Sequence, residues 1–136
     1  MKLTLQTDYA LRILMTLAKT PERLFSVQEL ADSFSVSKNH LMKTAQHLTL
    51  HGFIKTERGR NGGIKLAMAP NEISIGNVVR LIEPNMHIAE CFSKDSAGKA
   101  CSLLPNCKLK SLLGSALVSF ISVLDEKTLE DMTHNK

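Results

Sequence analysis

Two serine-capped helical segments joined by a tight corner constrain this chain most, because a glycine-rich turn between two short strands follows at once. Ser26-Val27-Gln28-Glu29 reads as a capping box, with Ser26 as cap and Glu29 reaching back to its backbone N–H. The helix carries Val27, Leu30 and Ala31 and ends near Phe34. Ser35-Val36 make the corner, and Ser37 caps the next helix, with Leu41, Ala45 and Leu48 at intervals of four and three. Gly52 stops it as the residue past the C-terminus, with His51 before it. Two short helices joined in this way form a helix-turn-helix. Phe53 to Glu57 and Ile64 to Met68 then read as strands flanking Arg58-Gly59-Arg60-Asn61-Gly62-Gly63, a β-hairpin closed off by Pro70. Helix-turn-helix followed by hairpin predicts a winged helix.

The rest of the chain fits around this unit. A first helix is predicted from Thr7 or Asp8, with Thr7 as a possible cap, and Ala10, Leu11, Leu14, Leu17 and Ala18 mark its buried face up to Pro21. Leu24 to Val27 read as an extended link. Ser74 caps a further helix with Ile75, Val78, Val79 and Ile82, stopped before Pro84. Residues 85–106 have no period, and a loop of that length inside a small protein calls for a purpose. From Cys107 to about Leu124 a long helix carries Leu109, Leu112, Leu113, Ala116, Leu117, Phe120, Ile121 and Leu124. That stripe is too wide for a small domain to cover, so a helix-to-helix homodimer is expected. The expected fold is mainly α with a small β-hairpin. A winged helix-turn-helix domain spans residues 1–83, a cysteine-bearing loop 84–106, and a dimerisation helix with a C-terminal tail 107–136.

Charge is distributed unevenly. Residues 1–80 hold 11 basic and 6 acidic side chains, net +5, whereas residues 81–136 hold 6 and 7, net −1. The positive field lies on the part that contains the helix-turn-helix, where a polyanion would bind. Between Lys38 and Lys65 there are six basic residues, with only Glu57 opposing them. The second helix of a helix-turn-helix presents its N-terminal residues to base edges. Here those are Ser37, Lys38, Asn39 and His40, with Lys43 one turn on. Asparagine pairs bidentately with adenine and lysine donates to guanine. Arg58, Arg60 and Lys65 on the wing are placed for phosphates or the minor groove of double-stranded DNA. His47 and His51 read as surface residues. No carboxylate pair, Ser-His-Asp set or phosphate loop is present, and no long helix follows the Gly-rich turn, so an enzyme is not expected.

Asp8 interrupts the N-terminus before any signal-like apolar run, and the longest uncharged stretch, Ser111 to Leu124, is only 14 residues. A cytoplasmic protein without a membrane span is therefore expected. Cys91, Cys101 and Cys107 form a C-x9-C-x5-C pattern. Three thiols cannot all pair within one chain, and in a reducing compartment they read as free thiols or as ligands for iron–sulfur or zinc. By spacing alone this differs from the paired cysteines of a zinc ribbon.

Several stretches together resemble one family. They are Thr7-Asp8-Tyr9-Ala10-Leu11-Arg12, Val36 to Lys43, Gly59 to Leu66, Ile75 to Pro84, and Pro105-Asn106-Cys107-Lys108-Leu109. They resemble the iron–sulfur winged-helix repressors of the NsrR-like, nitric-oxide-sensing branch, in order along most of the chain. The resemblance implies a homodimer with crossed C-terminal helices and an iron–sulfur cluster between that helix and the winged domain. It also implies repression of nitric-oxide detoxification and stress-repair genes, with operator release when nitric oxide attacks the cluster. The family's cluster cysteines fall on Cys91, Cys101 and Cys107, and the carboxylate that serves as fourth ligand from the partner subunit falls on Asp8. His87, a thiol or solvent are the other candidates for that position. The resemblance favours [4Fe–4S] over [2Fe–2S]. The Cys91–Cys101 interval is longer than this branch's norm. The family's cluster-status regulators carry a His three residues after the last Cys, where Lys110 stands here, so that branch fits less well. A thiol- or zinc-based redox regulator is the alternative within the same fold.

Overall fold

The computed structural model describes residues 1–94 and 101–134. Six helices and one hairpin follow the order α1 (Leu5–Lys19), α2 (Val27–Phe34), α3 (Lys38–Leu50), β1 (Ile54–Glu57), β2 (Gly63–Leu66), α4 (Ile75–Ile82), α5 (Lys108–Asp125) and α6 (Leu129–Thr133). No helix among the described residues is long and apolar enough to cross a membrane.

α1 begins earlier than its sequence pattern suggests. Thr4, with extended backbone, is its cap and accepts the Thr7 N–H. Thr7 is fully buried, and its hydroxyl donates to Glu83 at the end of α4. The same carboxylate accepts the Thr4 N–H at 3.2 Å and the Thr4 hydroxyl at 3.1 Å. A distant acceptor therefore takes Thr7 away from capping. Ser26 caps α2 as expected, accepting the Glu29 N–H at 3.0 Å. The reciprocal half of that capping box is replaced, because the Glu29 carboxylate pairs with Arg23, whose guanidinium lies over the Phe25 ring.

The corner after α2 closes on Ser35 in the left-handed region (φ 55°), while the Val36 N–H reaches back to the Ala31 carbonyl at 3.0 Å. Ser37 then caps α3 through the His40 N–H at 3.2 Å. α3 ends at Gly52 (φ +78°), where the Phe53 N–H returns to the Leu48 carbonyl. β1 and β2 are antiparallel with Ile54 opposite Leu66 and Thr56 opposite Ile64. The expected link through Phe25 joins the hairpin by an isolated β-bridge, since Phe25 and Ile64 exchange backbone bonds of 3.1 and 2.8 Å. Gly63 permits this approach, because a Cβ there would meet the Phe25 carbonyl at 2.5 Å.

The core gathers Ile13, Leu14, Leu17, Leu30, Leu41, Leu48, Ile54 and Val78 from α1 to α4 and the hairpin. Leu129 of α6, fully buried, belongs to it as well. The chain after α5 thus folds back as a helix where the sequence suggested only a tail. Its Leu129 N–H donates to the Ile73 carbonyl at 2.8 Å, and the Ile75 N–H donates to Lys127 at 3.0 Å. α5 packs on α4, and no residue of it is fully buried. Leu113, Leu117, Ile121 and Leu124 are half-buried, whereas Leu109, Leu112, Ala116, Phe120 and Val123 are exposed.

Candidate nucleic-acid interface and cysteine site

α3 divides cleanly by exposure. Leu41, Thr44, Ala45 and Leu48 are buried, and Lys38, Asn39, His40 and Lys43 are exposed with Ser37 at their head. The buried set locks the helix against α1 and α2, so the outer residues form one polar, basic face. Thr44 is satisfied in the interior by donating to the His40 carbonyl at 3.1 Å.

The wing supplies a second basic group. Arg58 and Arg60 are exposed in the turn, which bends at Gly59 (φ +117°) and closes with a Gly62 N–H to Gly59 carbonyl bond of 3.0 Å. Lys65 is placed differently. It lies on β2, half-buried, with its ammonium 2.8 Å from the Glu57 carboxylate. The hydrogen bond from Lys65 holds the Glu57 carboxyl below its ordinary range, and the same bond raises Lys65. His47 and His51 are both exposed.

The thiols form a second region. Cys91 lies half-buried in a 3₁₀ turn, Glu90–Phe92. Phe92 beside it faces α5, with the Lys110 ammonium 5.8 Å from its ring centre and Gly114 below the ring. Cys107 caps α5 and accepts the Lys110 N–H on its sulfur at 3.4 Å. Cys107 is thereby part of the first turn of α5, and Phe92, the neighbour of Cys91, lies against the first two turns. Cys101 is exposed, and most of the Cys91–Cys101 interval lies outside the described residues. All three are free thiols, and no three His, Cys, Asp or Glu side chains converge among the described residues. By donor chemistry, three free thiols, of which Cys107 stands at the start of α5, suit a soft-ligand centre such as iron–sulfur with one position left to fill, although the described structure does not bring the three together.

Asp8 sits in the first turn of α1 with its carboxylate 2.8 Å from the Arg12 guanidinium, both partly exposed. Arg12 in turn lies 5.9 Å from the Tyr9 ring centre. His87 is exposed and lines a cleft of about 550 Å³ with the N-terminus, Glu83 and the Leu117–Phe120 side of α5.

Sequence reading missed the Glu83 bonds to Thr4 and Thr7, and it missed the Arg80–Asp125 pair that joins α4 to α5. Neither has a local sequence signal, because each joins residues far apart in the chain. The start of α6 did have one: Thr128 and Asp131 form a reciprocal capping box.

Relatives and solved structures resemble the whole chain. The HTH-type transcriptional regulator NsrR of Bacillus subtilis is 46% identical over 137 residues, covering 100% of this chain and 92% of that protein. The regulator of the same name from Geobacillus kaustophilus is 44% identical with the same coverage. Among solved structures, the oxidized form of Staphylococcus aureus CymR superposes with a TM-score of 0.79 at 25% identity, over 100% of this chain and 98% of that one. T. potens IscR superposes with a TM-score of 0.76 at 25% identity, over 97% and 85%. These relatives are named as regulators, not enzymes. The family model described as "Rrf2: Iron-dependent Transcriptional regulator" matches residues 3–135. A winged helix-turn-helix with an exposed basic face on α3, matched along nearly its full length, belongs to the Rrf2 family of DNA-binding transcriptional regulators and is NsrR-like within it.

Proposed function

We propose that this protein is a cytoplasmic, homodimeric repressor that holds double-stranded operator DNA and releases it in response to nitric oxide. Its sensor is an iron–sulfur cluster, [4Fe–4S] rather than [2Fe–2S], bound by Cys91, Cys101 and Cys107 with Asp8 of the partner subunit as fourth ligand. The observation that supports this reading is the set of three free thiols, Cys107 among them capping α5, in a chain 46% identical to a regulator named NsrR. When bound, the cluster supplies iron as the atom nitric oxide attacks.

The chain's own residues make the coupling plausible on energetic grounds. Asp8 lies on α1, and α1 packs directly on α3, so a bond that holds Asp8 also constrains the reading helix. Recruiting Asp8 requires exchanging its Arg12 partner, an exposed i,i+4 pair worth about 0.3–0.5 kcal/mol. A hundredfold change in DNA affinity corresponds to about 2.8 kcal/mol. The Arg12 pair is therefore small beside the free-energy change that a switch of this size has to produce. DNA would be held by Lys38, Asn39, His40 and Lys43 in the major groove, with Ser37 at the helix start. Arg58 and Arg60 would reach the backbone from the wing, and Lys65 would add charge near its base.

The test is iron and sulfide per chain in anaerobically purified protein, with operator binding measured before and after nitric oxide. The reading expects both elements to be present and binding to fall on exposure. Cys101→Ala should lose the cluster and specific binding. Asp8→Ala should keep a cluster with an altered spectrum or response. Wild-type iron, sulfide and binding in Cys101→Ala would exclude the cluster assignment. A silent Asp8→Ala alone would move the fourth ligand elsewhere, to His87, a thiol or solvent.

A further inference from the structure

Sharing an edge with the reading face is a cleft whose α1 wall the assignments above leave unused. It has a volume of about 330 Å³ and runs between the first turns of α1 and one edge of α3. Gln6 and Tyr9 line it from α1, and His40, Lys43 and His47 line it from α3. The α3 residues follow a spacing of three and four, so they form one continuous edge of the helix. Two of them, His40 and Lys43, also belong to the exposed reading face, so cleft and reading face are one surface.

Its chemistry is one-sided. Lys43 is a cation, each of the two imidazoles offers an N–H donor, and Gln6 and Tyr9 supply further hydrogen-bond donors. No carboxylate lines the cleft. The nearby Asp8 is bonded to Arg12, whose guanidinium stands 5.9 Å from the Tyr9 ring centre. Tyr9 packs partly against the core, so this wall is fixed in place. When a helix lies in the major groove, a sugar–phosphate strand runs along each of its sides, and residues flanking the helix meet phosphates rather than bases.

We infer that this cleft receives a backbone phosphate of the bound duplex, which makes α1, through Gln6 and Tyr9, a DNA-contacting element beside α3 and the wing. The inference rests on α3 being the recognition helix. It also places DNA contacts within one residue of Asp8, so the helix that carries the proposed sensor ligand would itself touch the operator.

A phosphate contact is independent of sequence and appears in the salt dependence of binding, by about 0.9 in log–log slope for each phosphate neutralised. The experiment is fluorescence anisotropy of the anaerobically purified full-length chain on a random-sequence 30-bp duplex across a salt series. Gln6→Glu should weaken binding roughly tenfold and flatten the slope by about 0.9, and Gln6→Lys should tighten binding and steepen the slope by a similar amount. Tyr9→Phe should weaken binding less than Gln6→Glu. Thermal melts check that each variant folds, and the paired opposite charges at Gln6 keep the test decisive if one of them is destabilising. Asn71→Glu, an equal charge change on the exposed 3₁₀ turn that packs against α6, should leave affinity near wild type. If Asn71→Glu weakens binding as much as Gln6→Glu, the effect is one of overall charge and the cleft assignment fails. A cleft that serves something other than DNA leaves both Gln6 variants at wild-type affinity and slope. Lys38→Ala separates the premises: if it weakens binding while the Gln6 variants do not, only the cleft is wrong. If Lys38→Ala is also silent, the recognition-helix reading falls with it.

Discussion

Arg60 and Lys65 carry the same charge on the same hairpin, yet their surroundings give them different work. Arg60 is exposed at the turn, whereas Lys65 is half-buried on β2 and bonded to Glu57 at 2.8 Å. A cation that already has an anion partner must give it up before it neutralises a phosphate. Arg60→Ala and Lys38→Ala should therefore weaken operator binding and lower its salt slope by about one each. Lys65→Ala should do less on both counts, as read by anisotropy over the same salt series. An equal loss in all three would show that the Glu57 pair opens on DNA. Leu129 is a second residue whose surroundings decide its role. It is fully buried among α1 to α4 although it lies beyond the long helix, so Leu129→Ala should cost about 2–5 kcal/mol in denaturant unfolding. A tail merely appended to the domain would show almost no change.

At the scale of elements, the join between α4 and α5 depends on one close approach and one ion pair. A Cβ on Gly76 would collide with the Asp125 carboxylate and come within 2.9 Å of its backbone nitrogen. That carboxylate accepts from Arg80, at 2.6 Å for one of its two bonds. The Arg80 hydrogen bond holds Asp125 below its ordinary value near 3.8. A carboxylate with a lowered folded pKa stabilises the fold above its unfolded pKa and loses that contribution as pH falls through the folded one. Asp125→Asn should therefore lower the melting temperature at pH 7, with the wild-type and variant curves converging as pH drops below about 3.8. A constant gap down to pH 2 would mean that the pair is not the cause. Helices α1 to α4 and the hairpin were legible in the sequence because caps, periods and turn glycines are local signals. Thr7 was misread as a cap because its acceptor, Glu83, lies at the far end of the domain. Gly76 gave no signal because what crowds it is Asp125. Three cysteines at C-x9-C-x5-C marked a candidate site, but spacing carries no information about how a loop of that length folds or what a second chain contributes.

At the scale of the whole molecule, the outer face of α5 is an apolar surface that no other element among the described residues covers. α5 is anchored at its C-terminal end by Arg80–Asp125 and by the return of α6 into the core. Its inner face, Leu113, Leu117, Ile121 and Leu124, is half-buried against the winged domain. Leu109, Leu112 and Val123 remain exposed on the adjoining face at 61%, 64% and 63%, with Phe120, 37% exposed, at the border where it also lines the cleft beside Leu117. Side chains of this size recurring at helical spacing along a fixed helix form a seam that a second copy of the same seam would cover by two-fold symmetry. The proposed dimer follows from this, and so does the geometry that DNA would read, because two recognition helices address half-sites only when the dimer fixes their separation. Phe120 lies at the edge of the seam and is exposed within its own chain, so a charge there can stay solvated in the monomer and disturbs the dimer more than the fold. Burying an unpaired carboxylate in such a seam carries a desolvation cost of several kcal/mol. Phe120→Glu should therefore sediment as a monomer at micromolar concentration with near-wild-type melting, and should lose binding to a two-fold operator while retaining weak, salt-sensitive binding to any duplex. A wild-type chain that sediments as a monomer under the same conditions would remove the seam from the account, and the exposed leucines of α5 would then require a different partner.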